Sequence, residues 1–194
     1  CLSRLSTRQI SPDLWIVDDG VEIGILDSNF IAAPTMLIRA SAFNKIGGFD
    51  PSLMAVDHEF AFRAGALGAR FAYINRPLIY RHVYSSSISQ RPIKAHLDVL
   101  DALAVCRQVC GKSQRTDLIK DVDKAFYRTY LYLMVAYGQA GQRIQAWISY
   151  RKAFSYRFRA RDLVLLLVSL GGSGAVSWFE RARKVKNQWF KKSQ

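Results

Sequence analysis

The sequence predicts an α/β unit over residues 1–92 followed by an all-α, basic region over residues 93–194, and three observations predict it. Up to residue 92, short runs of strand texture alternate with helical patterns and with Gly- or Pro-containing turns. From Pro92 onward only helical spacing remains. The charge divides at the same place. Residues 1–94 hold ten Lys/Arg against eight Asp/Glu and residues 95–194 hold eighteen against seven, so the formal +13 splits into +2 and +11. With half of its 194 residues apolar, the chain can fill a core and is not a disordered protein.

Residues 1–28 mix turn formers with short apolar runs, and Leu14-Trp15-Ile16-Val17 is the strand candidate among them. Val17-Asp18-Asp19-Gly20 reads as a turn. Met36, Leu37 and Ile38 have the continuous apolar character of a strand buried on both faces. Ala40 to Ile46 reads as a short helix with Phe43 and Ile46 on one side, ended by Gly47-Gly48. Phe49 is expected to plug the core beneath that loop, and Pro51-Ser52 to supply a turn before a helix starting near Val56-Asp57. Within this helix Val56, Phe60, Arg63 or Ala64, and Leu67 recur at helical spacing, which predicts one packed and one exposed side. Gly65 and Gly68 suit a close approach and a stop. Arg70 to Ile74 alternates as a half-buried strand should, Asn75-Arg76-Pro77 turns, and Leu78-Ile79-Tyr80 begins another extended run.

The helical region begins with an amphipathic pattern through His96-Leu97, Leu100, Leu103-Ala104 and Val109. A second helix fits Leu118 to Tyr137, a turn fits Gly138-Gln139-Ala140-Gly141, and a third helix fits Ala146 to Phe158. A fourth starts near Leu163 and a fifth near Val176, ending in Arg181, Arg183, Lys184, Lys186, Lys191 and Lys192. The longest apolar run, Leu163 to Leu170, is far short of the ~20 residues a spanning helix needs, so a soluble or peripheral protein is expected. Cys106 and Cys110 share a helix face without the four ligands of a structural zinc site, and reduced structural thiols in a cytosolic protein are expected. The first residue is Cys1, no signal peptide is legible, and the chain looks cut at its start.

One segment carries chemistry. Gly47-Gly48-Phe49-Asp50-Pro51-Ser52-Leu53 is followed by Val56-Asp57-His58-Glu59-Phe60-Ala61-Phe62-Arg63. Paired glycines let the backbone bend or approach a ligand where a side chain would clash, and the acidic cluster opens a helix whose positive end favours carboxylates. This order resembles the acceptor half of an inverting family 2 glycosyltransferase, where a "GGFD"-type loop precedes a pattern like "(A/S)-E-D-x-(D/E)-(L/F)-x-x-R". Asn29 to Arg39 resembles the family's segment leading into the acceptor site, and Arg81-His82 before Ser85-Ser86-Ser87 resembles the end of its catalytic core. The first acid of the pair is here Val56, a departure from the pattern.

The resemblance implies a partial GT-A-like fold, a mixed sheet with flanking helices, covering about residues 22 to 92. It implies that Asp57 is the catalytic base, that Gly47, Gly48, Phe49, Asp50, Arg81 and His82 contact substrate, and that His82 helps hold a divalent metal, Mg or Mn. Glu59, two positions on from Asp57, is expected to be solvated or in a local salt bridge, and Arg63 to pair with a buried acid and orient the loop. The family's nucleotide-binding half and its "D-x-D" are not found ahead of residue 47, so the chain is expected to be the C-terminal portion of a larger enzyme, with little or no activity alone. Its implied partners are a nucleotide-sugar donor and a glycan or lipid-linked acceptor, in the cytoplasm or at the inner membrane face. The alternative is a non-catalytic basic helical module that binds anionic membrane or another polyanion. Nucleic acid fits less well, since the basic residues follow no recognition motif.

Overall fold

A computed structural model of the chain describes residues 5–80, 82, 84, 91–157, 159–171 and 174. Its described residues fall into two compact units, one within Cys1–Gln90 and Leu97–Ala125, the other within Arg91–His96 and Phe126–Gln194. The segment Leu97–Ala125, helical in its sequence texture, thus clusters with the strands.

The first unit starts with a hairpin of β1 (Ser6–Ser11) and β2 (Leu14–Asp19), turned by Pro12-Asp13 between the paired Ser11 and Leu14. Proline presets the turn's φ and has no N–H to lose. The third strand, β3 (Phe71–Ile74), lies on the other side of β2, so the order is β1-β2-β3 and both pairings are antiparallel. The sheet expected to be mixed is therefore antiparallel among the described residues. Trp15 and Tyr73, directly opposite each other, stack with centroids 6.1 Å apart, and such cross-strand aromatic pairs fix register.

Asp18 and Asp19 are the last residues of β2, which corrects the expectation of a turn there: only Gly20 leaves the strand, with φ 84°. Asp19 accepts the Gly20 N–H through Oδ1 at 2.7 Å, and α1 (Val21–Asp27) follows at once. That helix packs on α3 (Val56–Ala66) where Gly65 has no side chain; a Cβ there would meet Glu22 Cγ at 2.8 Å. Val56–Ala66 is buried almost all round, from His58 through Phe62 and again at Ala64–Ala66, and not on one side only as its spacing predicts. It is a short helix rich in small residues, held between neighbours on more than one side.

Two extended expectations differ. Met36–Ile38 forms no strand, and Leu37 is 100% exposed, because the segment leaves a short 3-10 turn at Ala33–Thr35 with no strand beside it to pair its backbone. Leu78–Tyr80 is likewise outside the sheet, with all three side chains exposed. The helix α2 (Ala40–Ile46) and its glycine stop agree with the sequence.

The helices α4 (Pro92–Lys112) and α5 (Ile119–Gln139) belong in part to each unit. In the first, Cys106 and Cys110 are buried free thiols on one face of α4, as their spacing predicts, and Arg115 bonds Glu22 at 2.9 Å. The second unit adds α6 (Arg143–Tyr156) and α7 (Ala160–Leu170) around a core of Met134, Ala146, Tyr150 and Leu166. Gly138 lies inside α5, and the turn comes at Gly141, where φ is +73°. Asp162 is buried and accepts a short hydrogen bond from the Tyr127 hydroxyl. The helix expected from Val176 lies outside the described residues. Among the described residues no helix is long and apolar enough to cross a membrane.

Candidate functional site

The loop after α2 begins with two successive left-handed residues, Gly47 at φ 100° and Gly48 at φ 71°. Side chains rarely adopt that backbone, so the pair of glycines is required by conformation. Both N–H groups donate to the Phe43 carbonyl at 3.1 Å, closing the helix end. Asp50 then folds the chain back: its Oδ1 accepts the Ser52 N–H at 2.9 Å and the Ser52 hydroxyl at 2.6 Å. Those two bonds, with a smaller contribution from Arg63, hold the Asp50 carboxyl below the usual carboxylate range. Asp50 is thus occupied in shaping the loop.

Beneath the loop three rings meet. Phe49 packs on Phe60 at 4.8 Å and on Phe43 at 5.4 Å edge-on, and Phe43 lies 5.6 Å from Phe60. Phe49 plugs the space beneath the loop as expected, yet leaves part of its ring exposed.

Arg63 ties these parts together. Its guanidinium makes a two-pronged contact with Glu59, Nε to Oε1 at 2.6 Å and Nη2 to Oε2 at 3.0 Å. The same group donates from Nη2 to the Gly48 carbonyl at 2.6 Å and from Nη1 to the Ile46 carbonyl. One planar fork therefore serves a carboxylate and both sides of the glycine turn, a geometry a lysine cannot copy. The Glu59 bond, chiefly, raises the Arg63 pKa. Glu59 is not solvated: its side chain is 1% exposed and that of Arg63 16%. Burial first, and the neighbouring Glu59 carboxylate second, push the Cys106 thiol well up, so this cysteine is an inert wall of the pair and not a nucleophile.

Asp57 stands in the first turn of the same helix. Its Oδ1 accepts the His58 N–H at 2.8 Å and the Asn29 side-chain amide at 3.2 Å, and its Oδ2 accepts the Ala33 N–H at 3.2 Å. The first turn of α3 thereby holds the 29–33 segment, and the next holds the 46–48 segment through Arg63. Six residues separate Asp57 from Arg63, about 9 Å along a helix axis. Oδ2 has a single long bond and retains acceptor capacity, and the residue is partly exposed. A carboxylate so placed, at the positive end of a helix, is suited to take a proton from a hydroxyl brought to it. His58 is buried beside it.

The structure brings Gly47, Gly48, Phe49, Asp50 and Asp57 onto one frame through α3. His82 is exposed and stacks on Tyr84 at 6.3 Å, and Arg81 lies outside the described residues. Among the described residues no group of three or more His, Cys, Asp or Glu could hold a metal ion. Sequence reasoning missed Asn29 and the Ala33 N–H as partners of Asp57, because nothing in local spacing signals a contact 28 residues away. Glu59 as the buried partner of Arg63 did have a signal, since Glu four residues before Arg is the favoured helical pairing. No protein-family model, curated protein or solved structure matches this chain.

Proposed function

We propose that this chain carries the acceptor side of an inverting glycosyltransferase of GT-A-like fold, with Asp57 as the base. In that reaction Asp57 takes the proton of an acceptor hydroxyl as its oxygen attacks the anomeric carbon of a nucleotide sugar. The new glycosidic bond forms, and the bond to the nucleoside diphosphate breaks with its electron pair. The acceptor is a glycan or a lipid-linked sugar. The donor nucleotide, and the divalent ion expected with it, are held by residues other than those described, and no step is assigned to His82 as a ligand.

What supports the reading is the coupling of the glycine loop to α3 through Arg63, six residues along the same helix from a carboxylate with acceptor capacity left. A loop fixed this way cannot drift relative to the base, and a base is effective only when held within hydrogen-bond reach of the proton it removes. Arg63 donates to the Ile46 and Gly48 carbonyls on either side of the glycine turn, which fixes the loop to the helix that carries Asp57.

The test is sugar transfer by the enzyme that contains this stretch, wild type against Asp57→Asn. Loss of turnover with donor binding retained is expected; equal turnover by the two would sink the proposal.

A further inference from the structure

In the second unit α6 and α7 follow one another through the short connection 157–159 and pack together. Each turns one face inward: Ala146, Ser149, Tyr150 and Ala153 from α6, and Asp162, Leu166 and Ser169 from α7. Core residues Ala146, Tyr150 and Leu166 share a cluster with Met134 of α5, so the opposite faces of both helices look outward. Those outward faces mix exposed apolar side chains with cations. Ile144 (76% exposed), Trp147 and Ile148 recur at the i, i+3, i+4 spacing of one stripe on α6, and α7 exposes Val164 and Leu167 (69% exposed), three positions apart.

The charges around this face have one sign. From Arg143 to Leu170 the sequence holds six Arg/Lys and one acid, Asp162. Asp162 is buried and bonded to the Tyr127 hydroxyl, so it offers no negative charge to the outside. Arg143, Arg151, Lys152 and Arg157 are exposed. Arg151 stands one turn beyond Trp147 on the apolar stripe itself, where a long side chain can lie along apolar surface and keep its head in the polar layer.

We propose that the outer face of α6 and α7 lies on an anionic lipid surface. A second copy of the chain would bring the same cations against these and be repelled, whereas phosphate-bearing headgroups complement them and the apolar stripe enters the acyl boundary. Tryptophan suits that boundary because its ring is apolar and its N–H polar. Helices of 14 and 11 residues are too short to span and are suited to lie flat. The inference stands apart from the transferase reading, since lipid binding is measured without sugar transfer and either can fail alone.

The experiment is vesicle flotation of the full chain with phosphatidylcholine alone and with phosphatidylcholine mixed with phosphatidylglycerol. Binding to the mixed vesicles only is expected, weakening as salt rises from about 0.1 M to about 1 M and the screening length falls from about 10 Å to about 3 Å. Ile144→Asn with Leu167→Asn should lower it at least about tenfold, since two exposed apolar side chains then no longer enter the membrane. Arg151→Gln with Arg157→Gln should lower it comparably at low salt while leaving the apolar stripe intact, which keeps the test decisive if the first variant misfolds. Neutralising the six cations from Arg181 to Lys192 should leave the dependence on Ile144 and Leu167 in place. No binding to mixed vesicles, or binding indifferent to both pairs of substitutions, overturns the proposal. So does self-association abolished by Ile144→Asn, or binding to an oligonucleotide as tight as to the vesicles and indifferent to that substitution.

Discussion

Replacing Arg63 with Met removes the guanidinium that holds the glycine turn and leaves Glu59 in a site where its side chain is 1% exposed. Breaking a buried ion pair from one side costs about 3–5 kcal/mol, because the remaining charge stays desolvated. The carbonyls of Ile46 and Gly48 lose their donor as well, at up to about 1 kcal/mol each. Water can replace part of this, since Gly47 is exposed. The expected loss is therefore about 4–6 kcal/mol, a large part of the roughly 5–15 kcal/mol that holds a domain together. Glu59→Gln added to Arg63→Met should recover about 2 kcal/mol by removing the orphaned charge, but not the loop's lost bonds. Urea unfolding followed by circular dichroism reads the stability, and hydrogen exchange at Gly47 and Gly48 reads the loop. A single Arg63→Met variant within about 1 kcal/mol of wild type, with those amides still protected, would refute the reasoning.

Three further outcomes are expected. Gly138→Ala, normally a gain of about 1 kcal/mol in a helix interior, should here destabilise by about 1–3 kcal/mol, since its Cβ would fall 2.6 Å from the Ser169 carbonyl oxygen; a raised melting temperature contradicts it. Burial holds the His96 pKa below its ordinary value of 6.5. The unfolded chain therefore takes up that proton first, and stability should fall as pH drops below about 6.5, with no His96 contribution above it. Unfolding at pH 5.5 and 7.5 should show the fall reduced in His96→Gln, and an identical fall in both chains would count against it. Cys106, buried and shifted up, should resist alkylation at pH 8 until urea unfolds the chain, and rapid labelling in the native state would contradict that placement.

Much of the local structure was legible because single residues dictate it. Gly47-Gly48 announces a left-handed helix end, Arg70–Ile74 alternates as a half-buried strand does, and Glu59 and Arg63 stand at a helical pairing distance. The misses depend on neighbours that sequence cannot supply. Met36-Leu37-Ile38 has the composition of an inner strand, but a strand exists only where another backbone pairs with it, and Leu37 is bare. β1, with Ser, Thr, Arg and Gln at most positions, gave no apolar signal because it is an exposed edge. The candidate base was readable as an acid at a helix start; its tether to Asn29 and Ala33 was not, since a contact over 28 positions leaves no periodic trace.

That tether defines the sharpest alternative for Asp57, which is either a base or a strut for the 29–33 segment. Under the proposed function, one transfer assay comparing Asp57→Asn with Asn29→Ala separates the two. Asn29→Ala removes one strut bond and spares the carboxylate, while Asp57→Asn removes the proton acceptor, keeps nearly the same shape and, with a single acceptor oxygen, gives up one bond to the 29–33 segment. A base predicts a loss of about a hundredfold or more for Asp57→Asn, and less than about tenfold for Asn29→Ala. Equal losses in the two variants, or none in Asp57→Asn, would contradict the claim that this carboxylate does the chemistry.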